Sequence, residues 1–313
     1  MKLLITADLH IRPDAPKCRT DDFLDMQKKT LDFIYSVAFK KNAHILIAGD
    51  IFDTSQPRKS QELECMLQYY FTGYNVKQSW IFGNHDLNPL SYSDNKKTSL
   101  GTLQLFNTLS RSLNNNTHYF NFWNYGSTEP VFNFKYRNAY CVKMLHIYCE
   151  EKELPFYINN GTTAEHLLDN YSEYDLIVTG DNHHGFYYQK DKRFVINPGC
   201  CTRQKGDMKK YKPRVYLFDT DTKEIETIYL PDNKLEFVTN EHNEEKKEKT
   251  KELETLINNF TIIHQKGKNL KQEIQDLCIL NDIDQDIINY LMMCINHKNK
   301  DIIDMLNDYW ERM

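Results

Sequence analysis

The chain has 313 residues, a net charge of −5, 40% hydrophobic and 27% charged residues, and a mean hydropathy of −0.67. A chain of this length buries a full core without disulfides or structural metals, and no apolar run approaches the ~18–20 residues that span a bilayer. These values exclude a helical membrane protein. The 8 cysteines, none in a Cys-x-x-Cys pair, are expected to be inert core thiols (Cys65, Cys141, Cys278 and Cys294 lie in apolar stretches) of a reducing, cytoplasmic setting.

A mildly acidic balance taken alone argues against nucleic acid as a partner. The charge is unevenly spread, however. Residues 241–313 hold 10 basic and 15 acidic side chains and carry the whole imbalance, while the preceding 240 residues hold 29 of each sign. Net charge therefore does not exclude DNA.

In chain order, the opening MKLLITADLH reads as a first strand, because Asp8 interrupts its apolar patch too early for a secretory leader. Residues 2–7, 44–48 and 78–82 are short apolar strands. Between them Phe23, Leu24, Leu31, Ile34, Tyr35 and Ala38 recur at helical spacing, as do Leu63, Met66, Leu67, Tyr70 and Phe71. That is β-α-β-α-β, which predicts a parallel sheet with right-handed crossovers. Two more strands follow at 139–145 and 176–179, then a group at 194–196, 214–218 and 225–230 whose intervening turn residues predict antiparallel pairing. Residues 112–133 show no clear period.

Composition changes after Pro231. A charged run at 243–251 marks a linker, placed at 236–250, and 251–313 reads as a small helical region. Its amphipathic faces are Leu253, Leu256, Ile257, Phe260 and Ile263; Ile283, Ile287, Ile288, Leu291 and Ile295; and Ile302, Ile303, Leu306 and Trp310.

The informative feature is where polar residues fall. Successive strands end in Asp8-Leu9-His10, Gly49-Asp50-Ile51-Phe52-Asp53, Gly83-Asn84-His85-Asp86, His146 and Gly180-Asp181-Asn182-His183. In α/β proteins functional groups gather beyond the carboxyl ends of strands. Carboxylate, imidazole and amide oxygens without cysteine suit Mn²⁺, Fe²⁺ or Zn²⁺ in an open rather than a structural site. A central carboxylate, best assigned to Asp50, can bridge two ions ~3.5–4 Å apart, an arrangement that activates water and clamps a phosphate. Of only 11 glycines, Gly49, Gly83, Gly180 and Gly199 fall in these loops.

The ordered set Asp-x-His, Gly-Asp-x-x-Asp, Gly-Asn-His-Asp, a lone histidine after a strand and Gly-x-x-His resembles the calcineurin-like metallophosphoesterases. The wording TADLH, AGDIFD and GNHD, with Asn197-Pro198-Gly199-Cys200-Cys201 standing where a Pro-Gly-Ser segment is usual, is similar to the SbcD-type DNA repair exonucleases, including those of large tailed phages. The resemblance implies a four-layer α/β/β/α sandwich over residues 1–235. It implies one metal held by Asp8, His10, Asp50 and His183, and a second held by Asp50, Asn84, His146 and Asp181. His85 would orient or protonate the phosphate with Asp86 as its hydrogen-bonding partner, and Asp53 would support the ligands. The family usually has Gly-His-x-His where this chain has Gly180-Asp181-Asn182-His183, which tilts the second site toward Mn²⁺ or Mg²⁺. His166 and His184 are expected bystanders, and Cys200 and Cys201 are expected to pack under the turn.

The resemblance further implies a two-metal DNA nuclease, an exonuclease of repair, recombination or degradation. It would work in the cytoplasm, the bacterial host's if phage-encoded, with an SMC-like coiled-coil ATPase (SbcC-type) docked on the C-terminal helices; those helices could instead mediate a homodimer. The family's DNA-binding cap domain is very short or absent here. A basic loop, Arg203, Lys205, Lys209, Lys210, Lys212 and Arg214 against Asp207 alone, is suited to DNA phosphates. Arg12, Arg19, Arg58 and Lys59 would extend it. A small-molecule or protein phosphoesterase, or a silent binding scaffold, would share much of this sequence.

Overall fold

A computed structural model describes residues 1–88, 95–106, 114–155, 158 and 160–231, so the expected linker at 236–250 and helical region at 251–313 lie outside the described residues. The chain opens with β1 (Lys2–Thr6), α1 (Phe23–Lys41), β2 (His44–Ile47), α2 (Ser60–Gly73) and β3 (Gln78–Trp80). It continues with α3 (Ser99–Phe106), β4 (His118–Trp123), β5 (Tyr140–His146), the short β6 (Cys149–Glu150) and β7 (Thr162–Thr163), and α4 (Ala164–Asn170). β8 (Leu176–Gly180), β9 (Phe186–Lys190), β10 (Arg193–Asn197), β11 (Arg214–Asp219) and β12 (Ile225–Tyr229) complete it.

Local chemistry sets the helix ends. The Asp22 carboxylate accepts the Asp25 N–H at 3.0 Å to cap α1, Lys40 and Lys41 sit in its last turn, and Asn42 closes it in a left-handed conformation. The buried face of α1 is the one the periodicity marks: Phe23, Leu31, Ile34, Tyr35 and Ala38.

Two five-stranded sheets form, in the orders β12-β11-β1-β2-β3 and β4-β5-β8-β10-β9. Strands β1, β2 and β3 are parallel, as predicted, with Leu3 opposite His44 and Ile45 opposite Gln78. Side-chain alternation splits each strand between two cores. Leu4, Ile45 and Ile47 face α1, α2 and α3, while Leu3, Ile5 and Leu46 meet Val142, Met144, Leu176, Val178 and Ile196 of the second sheet. The far side of that sheet, with Cys141, Leu145, Ile177 and Val195, packs on Ala164, Leu167 and Leu168 of α4. The layers are therefore α/β/β/α, as expected.

The structure departs from the sequence reading in four places. β10 is parallel to β8 and antiparallel only to β9, so it does not join β11 and β12, which do form an antiparallel pair beside β1. β9 was not foreseen, because an edge strand reading FYYQK offers no apolar run. β4 emerges from the stretch without a clear period, its pattern obscured by buried His118 and Asn121. Among the described residues Cys18, Cys141, Cys149, Cys200 and Cys201 are buried free thiols, whereas Cys65 is exposed on α2 rather than in the core. No described helix is long and apolar enough to cross a membrane.

Candidate metal centre

The first two motif loops run side by side beyond their strands. The N–H groups of Asp8, His10 and Ile11 donate to the carbonyls of Gly49, Asp50 and Ile51 at 3.1, 3.0 and 2.8 Å. Asp8, His10, Asp50 and Asp181 all take positive φ, at 48°, 44°, 50° and 80°. Left-handed backbone costs a non-glycine residue of order 1 kcal/mol. Four such residues at one place mark a site where fold stability is subordinated to side-chain aim. Two glycines make the close approach feasible. A Cβ at Gly83 would lie 2.0 Å from Asp50 Oδ1, and one at Gly49, whose φ is +93°, would lie 2.3 Å from His146 Nδ1.

All seven expected ligands come together, and they come from both sheets. His10 Nε2 faces His183 Nε2 at 3.2 Å and Asp50 Oδ2 at 3.7 Å. His146, at the end of β5, brings Nε2 to Asn84 Oδ1 at 2.9 Å, Asp50 Oδ2 at 3.3 Å and Asp181 Oδ1 at 4.0 Å. The Asp181 N–H donates to Asp8 Oδ1 at 3.2 Å. Asp50 is the hub, with its Oδ1 accepting the His85 N–H at 2.9 Å. Among the described residues, three groupings have ligand atoms mutually within 4.8 Å: Asp8, His10 and His183; His10, Asp50 and His85; and Asp8, Asp50 and His146.

Electrostatics separates the imidazoles. Burial lowers His10 to about 3 and holds His183 well below its ordinary value, so both are neutral. Burial would lower His146 too, but Asp50, then Asp8 and Asp181, reverse that and lift it to about 10. Asp50 answers in kind: burial would raise it, and the charge and hydrogen bond of His146 bring it below the usual carboxylate range. Burial pushes Asp8 and Asp181 up, with Asp50 adding to both shifts.

The residues present fit divalent cations. Asp8 Oδ2 is buried with no hydrogen-bond partner, and the neutral His10 and His183 rings have at most one hydrogen to share between their Nε2 atoms, 3.2 Å apart. Such groups are costly to leave unsatisfied and are natural donors to a cation. His146 Nδ1 lies 2.7 Å from the Ala48 carbonyl, which can only accept, so Nδ1 keeps its proton in either charge state and Nε2, which carries the titrating proton, is turned toward the carboxylates. That carbonyl, the last residue before Gly49, left no trace in the sequence as a functional group.

His85 and Asp86 are arranged differently from expectation. His85 is exposed, and its Nδ1 lies 2.7 Å from the Asp53 carbonyl, not against Asp86. The Asp86 carboxylate is fully buried and accepts the N–H groups of Phe52, Gly83 and Ile51 at 2.9, 3.0 and 3.2 Å. It fastens the second motif to the third. The pairing fails because consecutive residues of the turn point opposite ways. Asp53 stands beside the ligands as expected, 3.0 Å from Arg12 Nη1 and 3.7 Å from His10 Nδ1. His184 is exposed and His166 carries only its N–H into the Thr163 cap of α4. Cys200 and Cys201 are buried under the turn, bonded to Thr202 O at 2.9 Å and Thr6 Oγ1 at 2.9 Å.

The basic loop divides. Lys205, Lys209, Lys210 and Lys212 are exposed, and Lys205 is close enough for its charge to lower His10 and His183. Arg203 is not a surface cation: it is 2% exposed and donates to the Lys209 carbonyl at 2.9 Å, bracing the loop from inside. Arg19 is likewise buried, paired with Asp21 and donating to the Arg203 carbonyl at 3.2 Å. Arg214 is half-buried against the rings of Tyr211 and Tyr229. Arg58 and Lys59 are exposed, and Arg12 is held by Asp53.

A two-sheet sandwich gathering Asp, His and Asn at its strand ends has the architecture of a metallophosphoesterase. Residues 1–218 match the family model described as calcineurin-like phosphoesterase, and the chain belongs to that family. Solved structures with similar chain traces include a novel archaeal phosphodiesterase at 15% identity, covering 74% of this chain and 100% of that one with a TM-score of 0.36. Vps29 from Entamoeba histolytica complexed with Zn²⁺ matches at 13% identity over 72% of this chain and 89% of its own, TM-score 0.34. A putative 5′-nucleotidase from Staphylococcus aureus matches at 13% identity, 73% and 53% coverage, TM-score 0.43. No curated protein matches the sequence.

Proposed function

We propose that the chain is a two-metal phosphodiesterase acting on DNA, an exonuclease subunit. The observation that carries this reading is the convergence of Asp8, His10, Asp50, Asn84, His146, Asp181 and His183 at one place, where Asp8 Oδ2 is buried without a partner. Asp8, His10, Asp50 and His183 would hold one ion, and Asp50, Asn84, His146 and Asp181 the other. The oxygen-rich second set favours Mn²⁺ or Mg²⁺ over Fe²⁺ and Zn²⁺. When bound, such ions polarise the phosphoryl oxygens and activate water.

The chain's own groups do the rest. The Asp53 carbonyl fixes the His85 proton on Nδ1, leaving Nε2 of this exposed ring to meet the substrate and to give or take a proton there. Asp86 keeps the Asp50 and Asn84 loops in register through its three N–H bonds. The exposed lysines 205, 209, 210 and 212 supply this loop with cations suited to phosphates. Resemblance to SbcD-type subunits supports the remaining parts of the proposal: a role in repair, recombination or degradation, an SMC-like ATPase partner engaging residues 251–313, and a cytoplasmic, phage-related setting.

The test is Mn²⁺-dependent digestion of end-labelled duplex and single-stranded DNA by wild type and His85→Ala. Wild type should digest DNA, and His85→Ala should be slower by roughly 10²-fold or more. Rapid turnover of phosphomonoesters or cyclic nucleotides beside negligible DNA cleavage would favour a small-molecule phosphoesterase instead.

A further inference from the structure

Where β4 ends, the chain turns through Asn124-Tyr125-Gly126, and this turn is fastened to the residue just before the Gly83-Asn84-His85 motif. Asn124 Oδ1 accepts the Phe82 N–H at 3.0 Å, and the Tyr125 N–H donates to the Phe82 carbonyl at 3.0 Å. The turn is closed from its other side as well. Ser127 donates to the Asn124 carbonyl through its N–H at 3.2 Å and its Oγ at 2.8 Å, and Trp123 Nε1 donates to the Ser127 carbonyl at 3.0 Å. Gly126 supplies the positive φ, 67°, that the turn requires.

These bonds set the Tyr125 ring beside the metal centre. It stands at 81° to the His146 ring with centroids 6.3 Å apart. The His146 side chain is itself wholly buried and bonded to Asn84 and Asp50, so the Tyr125 ring packs edge-to-face on a residue of that half of the site. Tyr125 nonetheless keeps 37% of its surface in solvent. An aromatic ring fastened beside His146 and partly open to water offers a surface for a flat ring carried by the substrate. Stacking on such a platform is tolerant of base identity, as a nuclease without sequence preference requires.

We propose that Tyr125 is a substrate-contacting residue that stacks on the nucleobase attached to the phosphate bound at the His146 side of the centre. This inference rests on the phosphodiesterase reading and adds the nucleoside as the recognised unit. It is tested by calorimetric binding of thymidine 5′-phosphate and of methyl phosphate in Mn²⁺ to wild type, Tyr125→Phe and Tyr125→Leu. Wild type and Tyr125→Phe should bind the nucleotide roughly tenfold more tightly than methyl phosphate, and Tyr125→Leu should lose that preference with methyl phosphate affinity unchanged. A preference that survives in Tyr125→Leu, or that wild type lacks, overturns the assignment. Hydrolysis of the p-nitrophenyl ester of thymidine 5′-phosphate reports separately on the reaction: a Tyr125-dependent preference without hydrolysis would reject the phosphodiesterase reading while leaving the stacking contact in place.

Discussion

His146 Nε2 and Asp50 Oδ2 lie 3.3 Å apart although one closes β5 of the second sheet and the other follows β2 of the first. The pair closes the open end of the sandwich, where the apolar layer shared by the sheets gives way to the polar loops. It exists only because Gly49 and Gly83 leave room. In Gly83→Ala the added methyl would meet Asp50 Oδ1 at 2.0 Å and the Asp50 nitrogen at 2.5 Å, and backbone cannot swing aside. The variant should lose roughly 1–3 kcal/mol of stability in urea unfolding, as overpacked cores do, and should bind Mn²⁺ weakly. Wild-type stability and affinity together would show that the packing around Asp50 is looser than described.

Asp86 holds three backbone N–H groups and does not reach the His85 ring. Asp86→Asn should therefore cost roughly 1–3 kcal/mol, the penalty for leaving a buried donor without its acceptor, while the shape of the pH–rate profile stays that of wild type. A profile whose limbs move with this substitution would instead make Asp86 the proton partner of His85.

Two cations of the same loop should behave oppositely. Lys205→Ala, at an exposed position, should leave the melting temperature unchanged, weaken DNA binding, and reduce the slope of log affinity against log salt by about 1. Arg203→Ala removes the buried brace to the Lys209 carbonyl and should destabilise the fold by roughly 2 kcal/mol before any effect on DNA is counted. Equal melting temperatures for the two variants would contradict the burial of Arg203.

His44 tests the electrostatics away from the centre. Burial, then Lys77, lowers it from 6.5 to about 4, with Nε2 on Ser79 Oγ at 3.1 Å. Its folded state resists protonation while the unfolded chain takes a proton near the ordinary value. The neutral side chain's contribution is thus fully present above the unfolded value and is lost as pH falls toward about 4. Between about pH 7 and about pH 5 this amounts to roughly 2 kcal/mol. His44→Gln should be less sensitive to acid than wild type by that amount in urea midpoints. Identical pH slopes would remove His44 from the account.

Much of the fold was legible because parallel strands buried on both faces read as short apolar runs, as at β1, β2 and β8. The ligands were legible because each stands where such a run stops. The edge strands of the second sheet were not: β9 alternates half-buried and exposed residues, and β4 buries His118, which bonds Thr220 Oγ1 at 2.8 Å, and Asn121. Side-chain partners within a turn were also hidden, since Asp86 and His85 are neighbours in sequence yet one carboxylate is buried on the N–H groups of Ile51, Phe52 and Gly83 while the other side chain, an exposed ring, meets the Asp53 carbonyl. Arg203 shows the same limit for charge. A guanidinium in a basic run looks solvated until its carbonyl acceptor, six residues on, is seen.

The central claim is that Asp50 joins two cation sites that hydrolyse phosphodiesters. Mn²⁺ stoichiometry measured beside DNA cleavage tests it most directly, with wild type compared against Asp50→Asn. The account predicts two ions per wild-type chain with cleavage, and fewer than two ions with cleavage reduced at least about a hundredfold in Asp50→Asn. A wild-type chain that binds fewer than two ions at saturating Mn²⁺ and hydrolyses no phosphodiester would contradict it.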